Sequence, residues 1–305
     1  MLEIGVGNLT DIGKRRKTNE DYYGFFKLGA DEVLAVVADG VGGHASGEIA
    51  SRMAVEMIQK VYAEERGEKG ILSGLKAAFE VANFTILQKS LDQEELHGMG
   101  TTATALVLKE YEAFVGHMGD SRAYLFRDST VLQLTKDHSV VNRLMEQGLL
   151  SREEANRHPQ RNVIYKTLGL NMDADLQLLG PIPVSANDIF LLCSDGLTNL
   201  VADQEILEAV KRESPQHACE NLIQLANQRG GHDNITVQIL KVAGLKNDSK
   251  SLLERKKLLF IFMFILAILL FLNGLFLIGP EALEKIRMAV EGIWIKIPFL
   301  HSILN

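Results

Sequence analysis

Cysteine is almost missing from this chain, with two in 305 residues, Cys193 and Cys219. They are too few and too far apart for a metal-thiolate cluster or a disulfide framework, which points to a reducing compartment. Cys193 sits inside an apolar run, the setting of an inert buried thiol, and the residue six positions on is Asn199 instead of the arginine of a phosphate-cradling cysteine loop. No H-E-x-x-H pair offers zinc ligands, and no G-x-x-x-x-G-K-[ST] loop offers a nucleotide cradle. Basic excess is missing too: the net charge is −7, and residues 1–245 hold 24 Lys and Arg against 34 Asp and Glu. That balance argues against a nucleic-acid-binding face. The first residues contain no apolar stretch of secretory-signal length, so the N-terminal part is expected to begin in the cytosol.

What the chain does have is an apolar run, Val33 to Ala38, that stops at Asp39-Gly40-Val41-Gly42-Gly43-His44. It reads as a buried strand ending in a turn whose glycines allow positive φ. The pattern recurs where Ile189 to Ser194 ends in Asp195-Gly196, and a third carboxylate, Asp233, precedes an alternating strand from Ile235. An isolated Asp-Gly is more often a hairpin turn than a ligand, so repetition alone leaves both readings open.

Between these landmarks, apolar residues at helical spacing (Ala50 to Val61 and Ile71 to Ile86) predict two helices packed on a sheet. Strands are expected at residues 98–108, 113–118 and 121–126, the last two joined by a tight Gly119-Asp120 turn and paired antiparallel. Residues 134–169 are long, polar and irregular, in the manner of a flap. Helices are expected again at about 204–211 and 216–228.

The predicted domains are a catalytic unit over residues 1–243, a charged linker over 244–257, a transmembrane helix over 258–278 and a short extracytoplasmic tail over 279–305. The 21 residues 258–278 carry no charge, and as a helix they span about 31 Å, the thickness of a bilayer's hydrocarbon core. A buried helix of a soluble protein is the alternative. Arg255, Lys256 and Lys257 precede the run, which places the catalytic unit on the cytoplasmic side of a single-pass inner-membrane protein.

Taken in order, Arg16-x-x-Asn19-Glu20-Asp21, Asp39-Gly40-x-Gly42-Gly43-His44, Gly100-Thr101-Thr102, Gly119-Asp120-Ser121-Arg122, Asp195-Gly196 and Asp233-Asn234 resemble the motif set of the metal-dependent serine/threonine protein phosphatases, the type 2C or PPM family, in its bacterial branch. Each motif alone is weak; six in one order are specific, and they cover residues 1 to about 242. The resemblance implies an α+β fold, a four-layer αββα sandwich of two antiparallel sheets flanked by helices. It implies Mn²⁺ or Mg²⁺, two ions with a weaker third position, and hydrolysis of phosphoserine and phosphothreonine by a metal-bridging hydroxide. Carried over by position, Asp39 would bridge the two ions and Gly40 would offer its carbonyl. Asp195 and Asp233 would complete one shell, Glu20 would hold the second ion largely through water, and Asp120 with Asp195 would match the third position. Arg16 would grip the phosphate, with Asn234 and Asp21 in support. Val41 stands where some relatives carry a proton-donating histidine; His44 or water could serve instead, and His44 could equally be structural. Expected partners are phosphorylated proteins, an opposing serine/threonine kinase and the membrane through residues 258–278, with no nucleic acid. A pseudophosphatase that binds without turnover and a phosphatase of small phosphate esters are the competing readings.

Overall fold

The computed structural model describes residues 2–42, 46–172 and 175–245. His44 and the predicted span at 258–278, with its linker and tail, lie outside them. Among the described residues no helix is long and apolar enough to cross a membrane.

The elements in order are β1 (Leu2–Asp11), β2 (Asp21–Lys27), β3 (Glu32–Val41), α1 (Ser46–Lys69), α2 (Ile71–Asp92), β4 (Gly100–Thr101), β5 (Ala103–Lys109), β6 (Glu112–Met118), β7 (Arg122–Arg127) and β8 (Thr130–Gln133). Then come α3 (Val140–Glu146), α4 (Arg152–Arg157), β9 (Gln177–Pro183), β10 (Ile189–Cys193), α5 (Asp195–Thr198), α6 (Asp203–Arg212), α7 (Pro215–Gln228) and β11 (Ile235–Leu245). One sheet runs β1-β11-β10-β7-β8; the other runs β2-β3-β5-β6-β9, with β4 paired to β3. Every pairing is antiparallel.

The period-two geometry of a strand turns β3 into a wall between two cores. Leu34, Val36 and Ala38 face Ala54, Ile58, Phe79 and Ile86 of α1 and α2. Val33, Ala35 and Val37 face the other sheet, meeting a layer that includes Leu106, Phe190, Leu192 and Leu240. In β10 the parity divides the same way: Phe190 and Leu192 point between the sheets, while Ile189, Leu191 and Cys193 pack under α6 and α7 with Ile206, Leu222 and Val237. Both faces are buried, so these strands read as unbroken apolar runs without visible alternation. Three apolar layers in sequence make the four-layer αββα sandwich expected from the motif order.

One expected pairing is absent among the described residues. The segments before and after Gly119-Asp120 do not form a hairpin: β6 pairs with β5 and β9, whereas β7 pairs with β10 and β8. The turn crosses from one sheet to the other. It therefore lies at the mouth of the gap between them, which a hairpin tip would not.

Truncating the inter-sheet layer should be costly. Leu192→Ala is expected to lower unfolding free energy by about 2–5 kcal/mol, whereas Phe84→Ala on the outer face of α2 should change it by less than about 0.5 kcal/mol. Urea unfolding monitored by circular dichroism measures both, and equal effects would contradict the layer assignment.

Candidate active site

Strand ends bring the acidic residues together. Asp39 continues the inter-sheet parity of Val33, Ala35 and Val37 at the end of β3, with Asp21 of β2 as its cross-strand partner. Asp195 opens α5 just beyond β10, and because β10 and β11 run antiparallel with Cys193 opposite Val237, the approach to β11 puts Asp233 beside it. The crossing turn adds Asp120. A cleft of about 240 Å³ is lined by Arg16, Glu20, Asp39, Gly40, Asp120, Asp195 and Asp233, with Val41, Thr102, Asn162 and Ile164. A larger cavity of about 840 Å³ opens alongside it and shares Asp120, Asn162 and Asp195. The flap contributes Val141, Met145 and Ala155 to its lining, and the segment after α5 contributes Leu200 and Val201.

Gly40 is required for space. It is not among the positive-φ glycines, although Gly42 is, at φ 152°. A Cβ on Gly40 would stand 2.2 Å from the Gly47 carbonyl oxygen and 2.7 Å from that of Glu20, and one on Gly196 would stand 2.0 Å from the Asn234 oxygen. The expectation of turn flexibility at Asp39-Gly40 is corrected accordingly: close backbone approach excludes a side chain.

The acids oppose one another. Loss of solvation lifts the Asp39 carboxyl well above the usual range, and the charges of Asp21, Asp195, Asp120 and Asp233 push the same way. Asp120 is raised by desolvation and then by Asp195 and Asp137. Desolvation, with Asp233 adding to it, raises Asp195 to about 6, even though Asn199 Nδ2 donates to its Oδ2 at 3.0 Å. Its Oδ1 is buried with no hydrogen-bond partner. Asp21 lies behind the cleft, raised by desolvation to about 7 despite hydrogen bonds from Ser194 Oγ and Thr236 Oγ1, both 2.7 Å. Its Oδ1 is also unpartnered.

Arg16 stands among these acids. Its Nη2 donates to Asp233 Oδ2 at 2.8 Å, and its Nη1 is 3.7 Å from Glu20 Oε2. Burial opposes the guanidinium charge, but the Asp233 hydrogen bond and the fields of Asp233, Glu20 and Asp39 outweigh it. Glu20 is raised by desolvation, against the pull of Arg16. Asn234 does not touch these carboxylates through its side chain. Its Oδ1 accepts from the Glu20 N–H at 2.8 Å and its Nδ2 donates to the carbonyls of Ile12 and Thr18, both at 3.0 Å, which pins the loop carrying Arg16.

Among the described residues no three His, Cys, Asp or Glu side chains already form a closed cage for one cation. The donor set nevertheless fits hard dications: carboxylate and carbonyl oxygens, with Asp195 Oδ1 buried and unpartnered, in a cluster whose mutual repulsion cations would relieve. Sequence reasoning missed the polar groups behind the acids. Thr102 Oγ1 accepts the Asp39 N–H at 2.9 Å, and Thr101 Oγ1 donates to the Asp39 carbonyl at 2.9 Å. The Gly100-Thr101-Thr102 motif held that signal without revealing its partners. Asn162 and Ile164 had no local signal at all.

Comparison with known proteins agrees with this geometry. Residues 13–229 match the family model described as Protein phosphatase 2C. A Listeria welshimeri protein named serine/threonine phosphatase Stp is 35% identical over 236 residues, 76% of this chain and 93% of the relative. Protein phosphatase PhpP of Streptococcus pneumoniae is 37% identical over 244 residues, 79% of this chain and 98% of the relative. Among solved structures, the Streptococcus agalactiae serine/threonine phosphatase superposes with TM-score 0.74 at 34% identity, over 79% of this chain and 100% of that one. The catalytic domain of the serine/threonine protein phosphatase PstP, solved with two manganese ions, gives TM-score 0.69 at 34% identity, over 80% of this chain and 100% of that one.

The raised carboxyls fix a sign. In metal-free protein they hold protons to a higher pH than the unfolded chain, where aspartate titrates near 4, so the stability they contribute is full below about 4 and lost as pH rises through about 6 to 7. In chelator, Asp39→Asn should therefore melt above wild type, with a gap that widens from pH 5 to pH 8 and closes in Mn²⁺. Thermal melts check this, and a gap that narrows with rising pH would overturn it.

Proposed function

The chain belongs to the protein phosphatase 2C family and is a protein-serine/threonine phosphatase, and from that premise we propose how its cleft performs the hydrolysis and where the enzyme works. The observation that carries the proposal is the convergence of Asp39, Asp120, Asp195 and Asp233 from two sheets on one cleft that Arg16 also lines. Asp39 would lie between two divalent cations, with the Gly40 carbonyl on one of them. Asp195 and Asp233 would complete one shell and Glu20 would serve the other, while Asp120 with Asp195 would hold a weaker third. When bound, a pair of such cations lowers the pKa of water and offsets charge on phosphoryl oxygens during in-line displacement.

The protein's own groups supply position. Arg16 is permanently charged, and its planar fork suits two phosphate oxygens. Half-exposed and tied to Asp233 by a single short contact, it can turn toward an incoming phosphate while Asn234 keeps its loop in place. Val41 lines the cleft but has no proton to give, so the leaving oxygen takes its proton from His44 or from water. Ile164 of the flap and Val41 are the large apolar residues in an otherwise polar lining. The adjoining cavity of about 840 Å³ is more than a small ester needs and gives room to the polypeptide beside the phosphorylated residue.

The enzyme would work at the inner membrane, tethered by residues 258–278 with the catalytic unit in the cytoplasm, against a serine/threonine kinase that phosphorylates the same proteins. The uncharged 21-residue run behind Arg255, Lys256 and Lys257 supports this reading. Protease added to right-side-out vesicles should spare the catalytic unit, and its digestion would reverse the orientation.

Phosphate release from phosphoserine and phosphothreonine peptides in Mn²⁺ tests the site. Asp39→Asn and Asp195→Asn should each lose about 100-fold or more in kcat. Arg16→Ala should mainly raise KM, by about tenfold, the value of one charged hydrogen bond. Undiminished turnover in either aspartate variant would sink the assignment.

A further inference from the structure

The turn that carries Asp120 passes between the sheets, so no strand pairing holds it. Two side chains do. On one side Thr102 Oγ1, which already accepts the Asp39 N–H, shares a 2.7 Å hydrogen bond with Ser121 Oγ. On the other, His138 clasps Gly119 at two points: its main-chain N–H donates to the Gly119 carbonyl at 2.7 Å, and its ring Nδ1 accepts the Gly119 N–H at 3.1 Å. Because Gly119 N–H can only donate, Nδ1 must present a lone pair and the ring proton must sit on Nε2.

A second ring backs the first. His117 is fully buried, with its centroid 5.0 Å from that of His138. Its Nε2 donates to the Lys136 carbonyl at 3.1 Å, and its Nδ1 accepts from Thr104 Oγ1 at 2.8 Å. Burial first, then the charge of Lys166, lowers His138 to about 4, and burial lowers His117 to about 3, so both rings are neutral at pH 7. The Gly119 backbone has little freedom of its own: φ is 115°, and a Cβ there would meet Thr102 at 2.5 Å.

We propose that His138 is a positioning residue for Asp120: its Nδ1 lone pair, working against the Thr102–Ser121 bond, aims the Asp120 carboxylate into the cleft and so sets the affinity of the weakest cation position. The inference rests on the reading of Asp120 as a ligand. The ring also packs against His117 and Tyr165, so the variants that test its acceptor must keep its volume. Asparagine carries Oδ1 where histidine carries Nδ1; leucine keeps a similar volume and carries no acceptor.

Counting bound Mn²⁺ by electron paramagnetic resonance of the full chain in detergent, for wild type and three variants, separates the cases. Asp120→Asn should abolish the weakest binding event. His138→Leu should weaken that same event about 10- to 100-fold, as loss of a ligand-orienting partner does, and His138→Asn should return to within about threefold of wild type. If Asp120→Asn binds as wild type does, the ligand reading of Asp120 fails and this inference falls with it. If Asp120→Asn loses the event while His138→Leu keeps it, or if leucine and asparagine at 138 weaken it equally, the positioning role alone fails. Should the leucine variant not fold, His138→Gln, whose acceptor lies one bond too far, takes its place with the same expectations. Nitrogen-15 histidine spectra of the wild type give an independent reading: an Nδ1–H tautomer at residue 138 would overturn the proposal.

Discussion

Mutual repulsion among carboxylates in one narrow cleft is the constraint on which the rest of the structure depends. Asp39, Asp120, Asp195 and Asp21 are each raised by desolvation and by a neighbouring aspartate, and the hydrogen bonds and the Arg122 charge that oppose the rise do not cancel it. Arg16 offsets part of it at Asp233 and Glu20. The remainder is carried by the apolar layers, whose strands are too well packed on both faces to let their ends drift apart. An acid cluster on loops would spread. Here Asp39 and Asp21 are fixed by strand register, and Asp195 and Asp233 by the antiparallel neighbours β10 and β11.

The same constraint accounts for the hydrogen bonds behind the site. Asp21 accepts from two hydroxyls, Asp39 has both main-chain groups bonded to the Thr101-Thr102 pair, and Asn234 spends its whole side chain on the loop before Glu20. None of these groups can change the charge. They remove the freedom by which the acids would otherwise relax, which keeps the site organised for cations at the expense of stability without them.

How much of this could be read from the residues depended on whether the cause was local. The helices α1, α2, α6 and α7 announce themselves by spacing, and Asp39 and Asp195 by the abrupt end of an apolar run. Strand β1 has no such mark: glycines at 5 and 7 break its apolar pattern, and Gly7 is glycine because α7 packs against it, where a Cβ would fall 2.3 Å from the Pro215 backbone. The Gly119-Asp120 turn looks like a hairpin, because sheet membership is decided by distant partners and leaves no local trace. Gly40 must be glycine because the Gly47 and Glu20 carbonyls leave no room for a Cβ, a contact between distant segments that a turn-like Asp-Gly does not reveal. The roles of the acids came from motif order, which carries information that periodicity and spacing do not.

Asp195 shows why the arrangement also bears on which phosphates are accepted. It lines both the small cleft and the larger cavity beneath the flap, as do Asp120 and Asn162. A group that occupies both spaces therefore passes these three residues. A compact ester would leave the larger cavity, a mostly polar space with Val141, Met145 and Leu200 among its lining, to water. A polypeptide has room to extend into it from the small cleft. The small cleft and the larger cavity thus share three residues, so whatever occupies one borders the other.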